Sequence, residues 1–323
     1  MKLTARKPVR RSASDGAMPA RFRLLDGGMG MNGNKPPIQE RMKEKILILD
    51  GAMGTMIQEQ RLTAEDFGGE ELEGCNEMLV LTRPDVIRGI HEQYLEAGAD
   101  IVETNTFGAT SVVLAEYGIA DRAREINLAA ARLAVEAAKS YSTPEWPRYV
   151  AGAMGPTTKT LTVTGGVTFD ELVESYYEQA LALIEGGVDV LLLETSQDTL
   201  NVKAGGAGIR KAFETAGRTL PIMISGTIEP MGTTLAGQAI DAFYVSLEHL
   251  RPISVGMNCA TGPEFMRDHL RTLAGVARTA VSCYPNAGLP DEIGHYHETP
   301  ESLAQKMAGF AEQGWLNIAG GCC

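Results

Sequence analysis

Val188-Asp189-Val190-Leu191-Leu192-Leu193-Glu194-Thr195-Ser196 is a strand-length apolar run that turns polar at its end; Gly186 and Gly187 separate it from the helical segment before it. That segment, 168–185, opens with Thr168-Phe169-Asp170-Glu171, a capping-box pattern in which hydroxyl and carboxylate each take a backbone N–H of the first turn. A second helical segment, 198–215, follows the run. A strand that is apolar at successive positions, rather than alternate ones, suits a parallel sheet buried on both faces by helices.

The same unit recurs outward in both directions. Apolar runs fall at 46–49, 99–102, 149–153, 188–193, 221–224, 253–257, 280–283 and 316–319, with helical segments at 84–97, 122–139, 168–185, 198–215, 238–250, 263–274 and 300–312. Eight strands predict an α/β chain folded as a (β/α)8 TIM barrel over 45–323. Its eighth strand is the end of the chain, so the barrel is expected to lack the final closing helix. A doubly wound sheet would carry Gly-x-Gly-x-x-Gly after a strand, and none occurs. The nearest phosphate-loop pattern, Gly155-Pro156-Thr157-Thr158-Lys159-Thr160, lacks the second glycine before the lysine, which argues against nucleotide binding.

Composition narrows the function classes. The net charge of −12 divides unevenly, with +7 over residues 1–45 and −19 over the remainder. An acidic body without a basic, aromatic-interleaved stripe repels phosphates and disfavours nucleic acid. No apolar run approaches the roughly 20 residues of a membrane span. Five cysteines, unevenly spaced, do not make a disulfide framework, and no secretory apolar region is present, so free thiols and a cytoplasmic location are expected. Residues 1–44 are basic, without apolar periodicity, and are read as a disordered extension. The arginine-rich start fits a transit peptide, but Asp15, Asp26 and the lack of an amphipathic face favour a flexible tail.

In a barrel of this kind the chemistry sits at the carboxyl ends of the strands. The runs end in Asp50-Gly51-Ala52, Glu103-Thr104-Asn105, Glu194-Thr195-Ser196, Ser225-Gly226-Thr227, Asn258-Cys259, Pro285-Asn286-Ala287 and Gly320-Gly321-Cys322-Cys323, an unusually polar rim. Cys259, Cys322 and Cys323 thus fall on one face, from the sixth and eighth strands. Three thiolates with an open fourth position make a catalytic zinc site. Gly320 and Gly321 are expected to let the backbone turn sharply so that both following sulfurs face one ion. Cys75 and Cys283 read as small buried hydrophobes. His91, His249 and His269 lie in helical segments and are expected to be solvated or capping; His295 and His297 lack a third ligand. Asp50 and Glu194, buried at a barrel mouth, call for a cation such as an amino-acid ammonium, with Gly51 and Ala52 leaving backbone N–H groups for a carboxylate. Asp50 has an alternative role, capping a helix that begins near Met53. Glu103 and Asn105 are candidates to support the site.

Several segments carry a resemblance: Ile46-Leu-Ile-Leu-Asp-Gly-Ala-Met-Gly-Thr-Met56, Ala97-Gly-Ala-Asp-Ile-Val-Glu-Thr-Asn-Thr-Phe107, Gly256-Met-Asn-Cys259 and Leu316-Asn-Ile-Ala-Gly-Gly-Cys-Cys323. From about residue 44 to its end the chain resembles the homocysteine-binding domain of cobalamin-dependent methionine synthase. The resemblance implies zinc held by Cys259, Cys322 and Cys323, with the homocysteine sulfur as fourth ligand. It implies Asp50 and Glu194 on the substrate amino group, with amides near Gly51 and Ala52 by its carboxylate; Glu103 and Asn258 join the expected substrate-binding set. It also implies methylcobalamin as methyl donor, carried on a cobalamin-binding domain and recharged at a folate-binding domain, both outside this sequence.

The chain departs from that pattern in a short loop at 160–167 and in a second motif copy, Leu24-Leu25-Asp26-Gly27-Gly28-Met29-Gly30. Two rival functions follow: a stand-alone homocysteine S-methyltransferase using S-methylmethionine or betaine, and a non-catalytic fragment that only binds homocysteine or zinc.

Overall fold

Every apolar run becomes a parallel strand. The computed structural model describes residues 35–288 and 298–323. The motif copy at 24–30 and His295 and His297 lie outside the described residues. In chain order the elements are α1 Ile38–Glu44, β1 Leu47–Ile48, α2 Met53–Glu59, α3 Ala64–Phe67, α4 Leu79–Thr82, α5 Pro84–Ala97 and β2 Ile101–Glu103. Next come α6 Ser111–Leu114, α7 Ala123–Tyr141, β3 Tyr149–Met154, α8 Phe169–Gly186, β4 Val190–Ser196, α9 Thr199–Ala216 and β5 Ile222–Gly226. The last are α10 Ile240–Leu247, β6 Ser254–Asn258, α11 Pro263–Val276, β7 Ala280–Tyr284, α12 Pro300–Glu312 and β8 Ile318–Ala319. The strands pair in parallel in the order β1-β8-β7-β6-β5-β4-β3-β2, and a bridge between Leu49 and Ile101 joins the two edges into a (β/α)8 barrel.

Two packed layers explain why the runs are apolar at both parities. Val190 and Leu192 join Leu47, Leu49, Ile101, Tyr149, Ala151, Met223 and Ile318 inside the barrel. Leu191 and Leu193 join Val150, Ile224, Val255 and Val281 beneath the helices, against Leu172, Tyr176 and Leu183 of α8 and Ile209 of α9. Successive strand residues face opposite sides, so continuing the inward parity to the strand ends puts Glu103, Glu194, Ser225, Asn258 and Tyr284 in the uppermost interior layer. The capping box forms: Glu171 Oε2 accepts from Thr168 N–H at 2.7 Å, and Thr168 Oγ1 accepts from Glu171 N–H at 3.3 Å. None of the described helices is long and apolar enough to cross a membrane.

Three expectations change. The extension read as disordered to residue 44 contains α1, whose Ile38 and Met42 bury against the interior cluster. Lys35 Nζ pairs with Asp189 at 2.6 Å, and the Tyr149 hydroxyl donates to the Pro36 carbonyl at 2.7 Å. The apolar interior gains by excluding water at its amino-terminal end, which a local sequence pattern does not register. His91 is fully buried in α5 with no hydrogen-bond partner among the described residues on either ring nitrogen, and burial pushes its pKa down to about 4. The loops at the carboxyl ends of β1 and β2 carry three short helices, α3, α4 and α6, that periodicity does not reveal, besides α2, which begins at Met53 as expected.

The β6–β7 contact leaves no room for a side chain at Gly256, where a Cβ would overlap both the hydroxyl and the carbonyl oxygen of Ser282. Gly256→Ala is expected to destabilise the fold by about 1–3 kcal/mol, the usual range for overpacking. Urea unfolding checks it, and an unchanged midpoint would contradict it.

Candidate active site

Cys259 follows β6 directly. Its backbone and that of Ala260 are left-handed, with φ of 61° and 52°, a conformation uncommon for residues with a Cβ. The partner segment lies along β7 instead of turning sharply. Gly320 N–H donates to the Cys283 carbonyl, Cys322 N–H to the Pro285 carbonyl at 2.9 Å, Cys323 N–H to Asn286 Oδ1 at 3.1 Å, and Ala287 N–H to the Cys323 carbonyl at 2.8 Å. Gly320 serves close approach, because a Cβ there would stand 3.0 Å from that of Leu49. The tight conformation expected of the glycine pair falls on the Cys259 side.

The three sulfurs lie within 4.8 Å of one another, and Cys322 and Cys323 are 3.9 Å apart at sulfur. Tetrahedral coordination at about 2.3 Å per bond separates sulfurs by about 3.8 Å, so the donor set fits zinc. Hydrogen bonds from Cys322 and then Cys323 hold the Cys259 thiol down at about 2, and the same bonds push Cys322 and Cys323 up. Cys259 is therefore the readiest of the three thiols to ionise. Metal uptake must displace thiol protons, so it weakens as pH falls.

Beside the sulfurs stand three carboxylates, with no cation against them among the described residues. Asp50 Oδ2 accepts from the Glu103 N–H at 2.9 Å, while Asp50 Oδ1 and Glu103 Oε1 are buried without partners. Burial raises Asp50 and Glu194 well above the usual carboxylate range, and the Glu103 charge raises both further; burial pushes Glu103 up to about 7. Among the described residues no lysine or arginine contributes to any of the three. The helix that Asp50 was a candidate to cap has Ala52 at its N-cap and no side-chain cap. Gly51 lies against Tyr94, whose hydroxyl would be 2.9 Å from a Cβ there. Sulfur donors beside buried carboxylates that lack a cation among the described residues can take a metal and a cationic ligand together.

The sequence model of the family described as Homocysteine S-methyltransferase matches residues 47–323. The chain belongs to that family. Its barrel is similar in fold to the homocysteine methyltransferase MmuM from Escherichia coli. The metallated form of MmuM superposes with a TM-score of 0.70 at 22% identity, covering 87% of this chain and 92% of that one. The oxidized form gives 0.70 at 21% identity, over 86% and 91%. At such identities the likeness establishes the fold.

In this homocysteine S-methyltransferase family member, the structure brings Cys259, Cys322 and Cys323 together, and Asp50, Glu103 and Glu194 together beside them. Asn105 turns away, donating from Nδ2 to the Asn76 carbonyl at 2.8 Å. Asn258 is fully buried, with its amide bound to Thr195 and Ser225 and its Nδ2 4.0 Å from the Cys322 sulfur. Sequence reasoning missed Tyr94, Thr195 and Tyr284. The inward parity of β7 was the available signal for Tyr284, whose hydroxyl lies 2.5 Å from that of Ser225. Cys75 and Cys283 are buried as small hydrophobes, pushed up to about 11 and about 12 by burial.

Proposed function

We propose that this chain activates the thiol of homocysteine at a zinc ion held by Cys259, Cys322 and Cys323, for methylation to methionine with methylcobalamin as donor. The observation that carries the reading is the convergence of three sulfurs beside three carboxylates that meet no cation among the described residues. A zinc ion held by Cys259, Cys322 and Cys323 would supply the positive charge that favours the thiolate form of a bound thiol at neutral pH, where a free thiol of pKa about 8.5 is mostly protonated. Asp50 and Glu194 take the substrate ammonium, which supplies the cation their burial calls for, and Glu103 adds to the negative field. The backbone N–H groups at Gly51 and Ala52, just ahead of the uncapped start of α2, take the substrate carboxylate. The methyl group passes directly to the substrate sulfur, without a covalent intermediate on the protein. Met231, Leu235, Phe107 and Phe265, all exposed on loops or helix starts that follow β2, β5 and β6, suit a bulky donor carried on another domain.

The test is methionine formation by the zinc-loaded chain with methylcobalamin, S-methylmethionine or betaine, each with and without homocysteine. Turnover is expected with methylcobalamin and to vanish on chelation. Turnover with S-methylmethionine or betaine alone would replace the donor. A closed four-ligand shell in the substrate-free protein, read by X-ray absorption, would make the metal structural.

A further inference from the structure

Asn258 ends β6 immediately before Cys259. Its Oδ1 accepts from the Thr195 N–H at 3.0 Å and from the Ser225 hydroxyl at 2.8 Å. Its Nδ2 donates to the Thr195 hydroxyl at 2.8 Å and reaches the Cys322 sulfur at 4.0 Å. Thr195 is where β4 loses register with β5: the pairing steps from Leu193 and Ile224 to Ser196 and Gly226, leaving one extra residue on β4. Its φ of 53° is a genuine outlier for a β-branched residue. A bulge of this kind takes a backbone N–H out of the ladder, and a buried N–H needs a partner. The Asn258 amide supplies it from across the barrel and takes the Thr195 hydroxyl with its other arm.

We propose that Asn258 is a positioning residue, whose amide locks the left-handed bulge at Thr195 and so holds the neighbouring Glu194 in register with Cys259. The proposal rests on the reading of Glu194 as a partner of the substrate ammonium. A carboxylate and a sulfur ligand on strands two apart are thereby tied through one side chain, and substrate ammonium and substrate sulfur meet a fixed spacing. Aspartate at 258 would place a second buried charge beside the sulfurs. An aliphatic residue would leave the Thr195 N–H with only the long 3.4 Å contact to Ser225 Oγ.

The test compares two ligands on the zinc-loaded protein by titration calorimetry: homocysteine, and 4-mercaptobutanoate, which keeps the thiol and carboxylate but lacks the ammonium. Asn258→Leu is expected to weaken homocysteine about ten- to a hundredfold and to leave 4-mercaptobutanoate within about twofold, because only the ammonium site loosens. Adding Thr195→Gly, which takes φ of 53° without strain, is expected to recover several-fold of the loss. The milder Thr195→Val keeps the N–H bond and loses only the hydroxyl, so it carries the test if Asn258→Leu does not fold; a smaller loss, again confined to homocysteine, is expected. Equal weakening of both ligands, no weakening of homocysteine, or no recovery with Thr195→Gly would each overturn the proposal. A wild-type protein that binds both ligands equally would instead remove the ammonium role of Glu194, and the proposal with it.

Discussion

Cys259→Ala is expected to lower zinc affinity about a thousandfold or more and to abolish homocysteine-dependent methyl transfer. The three sulfurs come from two places in the chain, Cys259 on the rim of β6 and the Cys322–Cys323 pair after β8, and they close to within 4.8 Å only together. Removing Cys259 takes away the ligand that ionises most readily. The remaining thiols then have to lose both protons with no third donor to share the charge. Changes to groups that merely support a metal ligand cost about 10–100-fold in affinity, so loss of a ligand itself exceeds that range. Cys283→Ala serves as the comparison, since Cys283 lies inside β7 with its sulfur 3.7 Å from that of Met266 and is fully buried. Chelator competition and turnover, measured on both variants, check the expectation. Full zinc and full turnover in Cys259→Ala would refute it.

The carboxylates provide the second large effect, and it has opposite signs for stability and for binding. Glu103 is pushed up to about 7 from an ordinary value of 4.5. The folded protein therefore holds a proton that the unfolded chain has released between those values. The stability this contributes is complete below about pH 4.5 and is lost as pH rises through about 7. A shift of this size corresponds to a loss on the order of 3 kcal/mol by pH 8, and Asp50 and Glu194 act in the same direction. Glu103→Gln, neutral at every pH, is expected to flatten the stability profile between pH 5 and 8 and to raise the urea midpoint of the ligand-free protein at pH 8. Glu194→Gln is expected to do the same while weakening homocysteine about a hundredfold, since it removes one partner of a desolvated charge pair. Urea titrations across pH and calorimetry with homocysteine measure the two halves. A profile unchanged by Glu103→Gln would contradict the first, and unchanged homocysteine affinity in Glu194→Gln the second.

Buried carboxylates with no cation beside them among the described residues destabilise the barrel, a cost that the proposed binding of a substrate ammonium would offset. Sites of this kind trade stability for a preorganised field. The inner layer built by Glu103, Glu194, Ser225, Asn258 and Tyr284 is polar where the layers below it, with Ile101, Leu192 and Met223, are apolar. Water is excluded from the lower layers, and the polar interior groups are confined to the carboxyl end.

Local sequence pattern alone determined the eight strands and the helices between them, because burial on both faces demands apolar side chains at both parities and caps mark the helix starts. It also determined that Cys259, Cys322, Cys323, Asp50 and Glu194 end their strands on one rim, since parallel strands in a barrel all point the same way. Only the tertiary structure decided what closes across the barrel. The Asn258 amide reaches Thr195, 63 positions earlier in the chain, and the Asp50 carboxylate takes the Glu103 N–H, 53 positions away. Those contacts depend on the bulge in β4 and on the meeting of β1 with β2, which no window of adjacent residues encodes. The same holds for α1 and His91, whose burial is set by the surfaces they pack against rather than by their neighbours in sequence.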